Sequence, residues 1–310
     1  MTTQHFLTLD DLPKSVLQEV ISRAIDLKAM NRNGTLLEPL RNKSLALIFS
    51  KSSTRTRVSF EVGMRQLGGS CINLNPNDTQ IGRGEPIEDT ARVISSMVDG
   101  VMIRTDAHQQ LQKFAEYSSV PVINGLTDEY HPCQLLADLQ TIQELRGGYQ
   151  GCTVAWVGDG NNVCHSFMNA ARIFDFSLHV ATPKGFSPAL QIIEKNHTAV
   201  RLTDNPQEAV EQADVVVTDT WASMGQENEM AERSRAFAGF CVNDALMSLA
   251  KPDAIFLHCL PAYRGCEVSN TVIEGPQSAV FQEAENRLHA QKALLEYLLG
   301  RPAEFDSPPA

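Results

Sequence analysis

Short apolar runs alternate with helix-length amphipathic stretches along most of the chain, and this alternation limits the possible folds more than any other feature. In the first half, runs at 45–49, 70–74, 101–104 and 120–123 read as strands, with helical spacing near 56–67, 88–98 and 109–118. An amphipathic helix is predicted over 10–30, capped by Asp10 and with Pro13 in its first turn, because Val16, Val20, Ala24 and Leu27 recur at helical spacing. The second half repeats the pattern, with strands expected at 152–157, 177–181, 213–218 and 254–257. A helix over 134–145 ends at Arg146-Gly147-Gly148, and a long helix over 281–299 shows Ala284, Leu288, Gln291, Leu294, Leu295 and Leu298 on one face. Strands that alternate with helices form parallel sheets covered on both faces. The expected fold class is therefore α/β, with two doubly wound domains, each a central parallel sheet between helices. Ligands of such sheets bind beyond the carboxyl ends of the strands.

Composition narrows the function classes. A length of 310 residues suits two domains. A net charge of -11 argues against a nucleic-acid partner, which would need clustered positive charge. No apolar run reaches membrane-spanning length, and Met1-Thr2-Thr3-Gln4-His5-Phe6 lacks a basic segment before an apolar core. A cytoplasmic protein without a membrane partner is expected. Seven cysteines, none in a Cys-x-x-Cys pair, read as reduced thiols.

The strand exits carry the candidate chemistry. After the run at 45–49 comes Ser53-Thr54-Arg55-Thr56-Arg57, leading into a helix. Unpaired amides and the positive end of the dipole make a helix N-terminus an anion site. Three hydroxyls and two guanidinium forks add donors suited to phosphate oxygens. A Ser/Thr-x-x-Glu cap beside two surface arginines would explain one hydroxyl but not three. Arg104 ends the strand Gly100-Val101-Met102-Ile103-Arg104, where a charge points toward the crevice or simply meets solvent. His131 and Gln134 fall at a helix start fixed by Pro132, where an imidazole can donate to a carbonyl and an amide can hold an NH2 group, or where the histidine is simply satisfied by backbone beside a helix cap. The string Gly158-Asp159-Gly160-Asn161-Asn162-Val163 suggests a dinucleotide turn, but Val163 occupies the third glycine position and Thr182-Pro183 ends the next strand without an acidic residue. It reads instead as a ligand-facing turn. His258 and Cys259 are adjacent on a strand, so their side chains diverge and a nucleophilic pair is geometrically poor. No other His or Cys stands at metal-ligand spacing, and no metal is expected.

Four strings then carry a resemblance to the aspartate and ornithine carbamoyltransferases. Phe49-Ser50-Lys51-Ser52-Ser53-Thr54-Arg55-Thr56-Arg57 resembles that family's carbamoyl-phosphate motif, with Ser50 where relatives often have Glu. His131-Pro132-Cys133-Gln134 is similar to its His-Pro-x-Gln motif. Asp219-Thr220-Trp221-Ala222-Ser223-Met224-Gly225 resembles the Asp-x-x-x-Ser-Met-Gly signature of the ornithine branch, and His258-Cys259-Leu260-Pro261 matches His-Cys-Leu-Pro. The strings occur in the family's order, and the resemblance extends from about residue 7 to 302.

The resemblance implies carbamoyl-phosphate contacts by Ser53, Thr54, Arg55, Thr56, Arg104, His131, Pro132, Cys133, Gln134, Cys259, Leu260 and Arg287, with Gln80 reaching in from a neighbouring subunit. Asn162, Asp219, Ser223 and Met224 would hold ornithine, and Arg55, Arg104, His131, Asp219 and Cys259 would be catalytic. An acidic Asp219 suits the ornithine α-ammonium, and the stretch lacks the cations a second carboxylate would need. Cys259, leaning toward thiolate, would help take the δ-amine proton. Residues 1–147 would bind carbamoyl phosphate, completed by a helix at 283–300 that crosses back; 148–282 would bind ornithine; 301–310 would be a flexible tail. Two interdomain helices would join the halves. The expected substrates are carbamoyl phosphate and L-ornithine, without a cofactor, in a homotrimer or a multiple of trimers serving arginine synthesis. Another amine acceptor, such as putrescine or an acylated ornithine, and a catabolic direction are the alternatives.

Overall fold

The structure is a computed structural model that describes residues 3–35, 37–51, 53–75, 84–221 and 230–300. Gln80, Ser223, Met224 and the tail at 301–310 lie outside the described residues.

The chain divides into two compact units, one formed by residues 1–140 and 286–310, the other by 141–285. In chain order the first unit contains α1 (Lys14–Arg32), β1 (Ser44–Phe49), α2 (Thr54–Gln66), β2 (Ser70–Leu74), α3 (Ile87–Ser95), β3 (Gly100–Arg104), α4 (His108–Tyr117) and β4 (Val122–Leu126). Helix α5 (Pro132–Arg146) carries the chain into the second unit. There follow β5 (Thr153–Val157), α6 (Asn162–Phe174), β6 (Ser177–Ala181), α7 (Leu190–Asn196), β7 (Val200–Thr203), α8 (Pro206–Val210), β8 (Val215–Thr218), α9 (Met230–Ala236), α10 (Asp244–Met247), β9 (Ile255–His258) and α11 (Asn270–Ile273). Helix α12 (Val280–Leu299) returns to the first unit.

Each unit is a parallel sheet. The first has order β2-β1-β3-β4, the second β7-β6-β5-β8-β9. Both reverse direction of winding next to their first strand, between β1 and β3 and between β5 and β8, which opens a crevice at the carboxyl edge. In the first unit, Ala46, Ile48, Val101, Ile103 and Val122 pack against Ala91 of α3 and Leu111, Phe114 and Ala115 of α4. The alternate residues Leu45, Leu47, Met102 and Ile123 are equally buried, so the opposite face is covered too. The second sheet sets Ala155, Val157, Ala181, Val216 and Phe256 against α8, α10, α11 and Phe237. On its other face Trp156 meets Phe167 of α6.

Several local expectations change. The first helix starts later than predicted. Asp10 lies in a 3-10 turn, Leu9–Asp11, closed by a capping box with Thr8, and Pro13 is the N-cap of α1 rather than part of its first turn. β4 runs from 122 to 126 rather than 120–123. Asn124 and Gly125 read as a strand end, but the N-terminal segment holds them in the sheet: Phe6 bridges Ile123, and the Asn124 amide donates to the Phe6 carbonyl at 2.8 Å. β7 was not anticipated; it is a short edge strand whose residues are only half-buried or exposed. In α2, Val58 faces solvent at 54% exposure, and Thr56, Phe60, Gly63 and Met64 form the buried stripe instead. In α12 the burial from residue 286 onward falls on Asn286, Arg287, His289 and Gln291 as well as on Ala290, Ala293, Leu294 and Leu295, while Leu288 and Leu298 are half-buried.

Candidate active site

In the first unit the crevice between β1 and β3 receives the start of α2 and the end of β3. Ser53 is the α2 N-cap with extended backbone, and its side chain makes no capping bond. Its hydroxyl is therefore not consumed by the helix it precedes. Thr54 and Arg55 are exposed on the first turn, whereas Thr56 is fully buried. Two guanidinium groups converge on Thr56 Oγ1: Arg104 Nη1 donates at 3.3 Å and Arg287 Nη2 at 2.9 Å. A hydroxyl has two acceptor lone pairs and one donor. The two arginines occupy the lone pairs and so direct the Thr56 O–H away from them. Arg57, offered above as a second phosphate fork, instead pairs with Glu61 at 2.7 Å on the exposed face of α2.

Thr127 and Tyr130 close a turn after β4 that leads to His131, with the Thr127 N–H donating to the Tyr130 carbonyl at 2.9 Å. His131 is buried, and burial first, then the charges of Arg287 and Arg104, hold its imidazole well below the ordinary range. It is a neutral donor, not a cation. Pro132 opens α5. The Cys133 thiol is buried against the Asn124 carbonyl at 3.3 Å and is pushed up to about 12 by that burial, so it turns to the sheet and only its backbone can serve a ligand. Gln134 Nε2 donates to Asp138 Oδ1 at 2.8 Å, which fixes the orientation of the amide. Thr56, Arg104, His131 and Arg287 thus form one buried, cation-rich cluster beside a helix N-terminus, an arrangement suited to an anion.

In the second unit the crevice between β5 and β8 is bounded by the turn at 158–161 and by Asp219. Gly160 is required by packing: a Cβ there would lie 2.3 Å from Pro188 N and 2.5 Å from Ser187 C. Its N–H donates to the Phe186 carbonyl at 2.9 Å. Protein backbone from residues 186–188 fills the space on the Cβ side of this glycine. Asp219 follows β8 and is a node. Its Oδ1 accepts from the Thr220 N–H at 2.7 Å and from Cys259 Sγ at 3.1 Å, and its Oδ2 accepts from Asn161 Nδ2 at 2.8 Å. A Cys259 hydrogen directed at a carboxylate belongs to a thiol. The expectation of a cysteine leaning toward thiolate meets a neighbouring negative charge, which disfavours the anion. Asn162 Oδ1 accepts from the Val163 N–H at 3.0 Å.

His258 Nδ1 accepts from the Leu260 N–H at 2.9 Å, so its hydrogen sits on Nε2, which faces Glu267 Oε1 at 3.2 Å. This bond holds Leu260 at a φ of 57°, an uncommon conformation for a branched residue. His258 and Glu267 were missed as supports because nothing in their spacing signals the contact. Asn161 was also missed, although an asparagine at a helix start is a recognisable cap. Among the described residues Asp219, His258 and Cys259 offer donor atoms within 4.8 Å of one another. A metal ion could use His258 only by displacing the Leu260 amide or Glu267, which makes this a poor donor set.

The fold and these strand-end sites define a two-unit, doubly wound α/β protein with an anion cradle in one unit and an anchored carboxylate in the other. Residues 4–144 match the family model described as aspartate/ornithine carbamoyltransferase, carbamoyl-P binding domain. Residues 150–298 match aspartate/ornithine carbamoyltransferase, Asp/Orn binding domain. The chain belongs to the aspartate/ornithine carbamoyltransferase family. It is 62% identical to an ornithine carbamoyltransferase of Nitrosococcus oceani, over 96% of this chain and 98% of that one. Among solved structures, ornithine carbamoyltransferase from Pyrococcus furiosus superposes with a TM-score of 0.93 at 46% identity, covering 96% of this chain and 97% of that chain. The enzyme from Burkholderia thailandensis gives 0.89 at 50% identity, covering 96% and 98%.

Proposed function

We propose that this protein is an ornithine carbamoyltransferase, which transfers the carbamoyl group of carbamoyl phosphate to the δ-amine of L-ornithine, giving L-citrulline and phosphate. The observation that carries the reading is the convergence of Arg104 and Arg287 on the buried Thr56 hydroxyl beside a neutral His131. A doubly charged phosphate would meet the α2 amides, the Ser53, Thr54 and Thr56 hydroxyls and the guanidinium groups of Arg55, Arg104 and Arg287. The carbamoyl oxygen would take a hydrogen bond from His131, and the carbamoyl NH2 would face the Gln134 amide. These donors stabilise the charge that builds on the carbonyl oxygen and on the departing phosphate.

The acceptor must attack as a free amine. If the δ-amine titrates like lysine, neutralising it near pH 7.4 costs about 4 kcal/mol. Asp219 holds the α-ammonium and orients the chain, with Asn162 as a further partner. Cys259, 3.1 Å from Asp219 Oδ1, would receive an amine proton as its own passes to the carboxylate. The new N–C bond forms as the C–O bond to phosphate breaks, and one proton leaves the nitrogen. Gln80, Ser223 and Met224 complete the sites by family resemblance. The same resemblance supports a cytoplasmic homotrimer, or a multiple of trimers, acting in arginine synthesis. Exposed Val58 and Ile72 agree with association of copies, and light scattering after gel filtration tests it.

The test of function is citrulline formation from carbamoyl phosphate and L-ornithine, with putrescine and N-acetylornithine as competing acceptors. Turnover with ornithine at least 100-fold above the others is expected. Preference for either competitor would overturn the assignment.

A further inference from the structure

We propose that Asn161 is a positioning residue that sets the orientation of the Asp219 carboxylate, and with it the affinity for the amino-acid acceptor. The inference rests on the acceptor role proposed for Asp219. Asn161 is the N-cap of α6, with φ -87° and ψ -171°. Its Oδ1 accepts from the backbone N–H groups of Val163 at 3.0 Å and Cys164 at 3.1 Å. Backbone amides only donate, so these two bonds identify the oxygen and leave the amide NH2 pointing the other way. That NH2 donates to Asp219 Oδ2 at 2.8 Å.

An ionised carboxylate has roughly four acceptor positions. Thr220 and Cys259 take the two on Oδ1, and Asn161 takes one on Oδ2. Among the described residues, one position on Oδ2 is left for an incoming ammonium. Asn161 therefore decides which lone pair faces the ligand. The cap binds the rigid start of α6 to the flexible end of a side chain, so the helix itself serves as the reference for the carboxylate. A cap without this second bond would stabilise α6 equally well, since aspartate and serine cap as effectively as asparagine.

Among the described residues, the titratable and charged groups that face Asp219 are Cys259 and His258 from the end of β9, and Asp159 from the turn after β5. Asp159 is itself paired with Arg233 of α9 at 2.6 Å. Placing a second carboxylate at position 161 would set two acids at hydrogen-bond distance, where they share a proton.

Asn161→Asp keeps the cap and reverses the bond to Asp219; Asn161→Ser keeps the cap and removes the bond. The full-length enzyme is assayed for citrulline formation across pH 5.5–9, varying each substrate, alongside thermal melting. Both variants should stay folded, melting no more than about 8 °C below wild type. Both should lose about 10-fold or more in kcat/KM for ornithine, the size expected for a hydrogen bond to a charged group, with KM for carbamoyl phosphate unchanged. In Asn161→Asp alone, the acid limb of the profile should move up by about one pH unit. Wild-type ornithine kinetics in Asn161→Ser, or an unmoved acid limb in folded Asn161→Asp, would overturn the inference. Asp219→Asn separates the two claims. If it keeps normal ornithine kinetics, the acceptor role of Asp219 fails; if it is impaired while the Asn161 variants are not, only the role of Asn161 fails.

Discussion

Thr56→Val removes one oxygen and keeps the shape of the side chain. Thr56 is fully buried, so the variant has no water to replace what is lost. Two consequences can be separated. The first is structural: Arg287 loses a 2.9 Å acceptor and Arg104 a longer one at 3.3 Å. A hydrogen bond to a charged group contributes about 1.5–3 kcal/mol, and the longer bond adds little, so a loss of about 2 kcal/mol is expected. That corresponds to a fall in melting temperature of about 4–8 °C. The second is chemical. The hydroxyl hydrogen, which the two arginines direct away from themselves, is lost to the phosphate. Removing one preorganised donor lowers kcat by about 100-fold. Steady-state citrulline assays with varied carbamoyl phosphate, paired with thermal melting, measure both. Thr56→Ser keeps the oxygen and should retain kcat within about 3-fold. The reasoning fails if Thr56→Val turns over within 3-fold of wild type, or if Thr56→Ser is as damaged as Thr56→Val.

Three further outcomes follow from the same structure. Burial and two nearby guanidinium charges keep His131 neutral in the fold, so the unfolded chain binds the extra proton as pH falls below about 6.5. Stability should decline toward acid, with up to about 1.4 kcal/mol per pH unit from this group; His131→Gln should flatten the melting curve between pH 7 and 5, and equal steepness would contradict the sign. Gly160→Ala forces a Cβ against the backbone of residues 187 and 188 and should cost about 1–3 kcal/mol by overpacking, read as a lowered denaturation midpoint. Asp214 accepts from Arg146 at 2.7 Å, Lys251 at 2.8 Å and the Thr153 amide at 2.9 Å. Burial pushes its carboxyl up, but the Lys251 and Thr153 bonds and the two cations outweigh burial and leave it lowered. Asp214→Asn should therefore cost about 3 kcal/mol at neutral pH, and its deficit should shrink as pH falls below about 4; a deficit constant with pH would show that the charge is not what matters.

The sequence alone determined the α/β class, the parallel sheets and the strand exits as the places to look, because those follow from periodicity and turn chemistry within a few neighbouring residues. Ser53 to Arg57 could be read as an anion-binding turn for that reason, and Pro132 as a helix start. Residues around Arg287 carry no such local sign, and its bond to Thr56 spans 231 positions. Tertiary structure decided the rest. It set which hydroxyl receives two arginines, turned Arg57 away toward Glu61, made Gly160 a packing glycine and joined Asn161 to Asp219 across 58 positions. These are distances between side chains on different elements, fixed only when burial of both sheet faces forces the strand ends together.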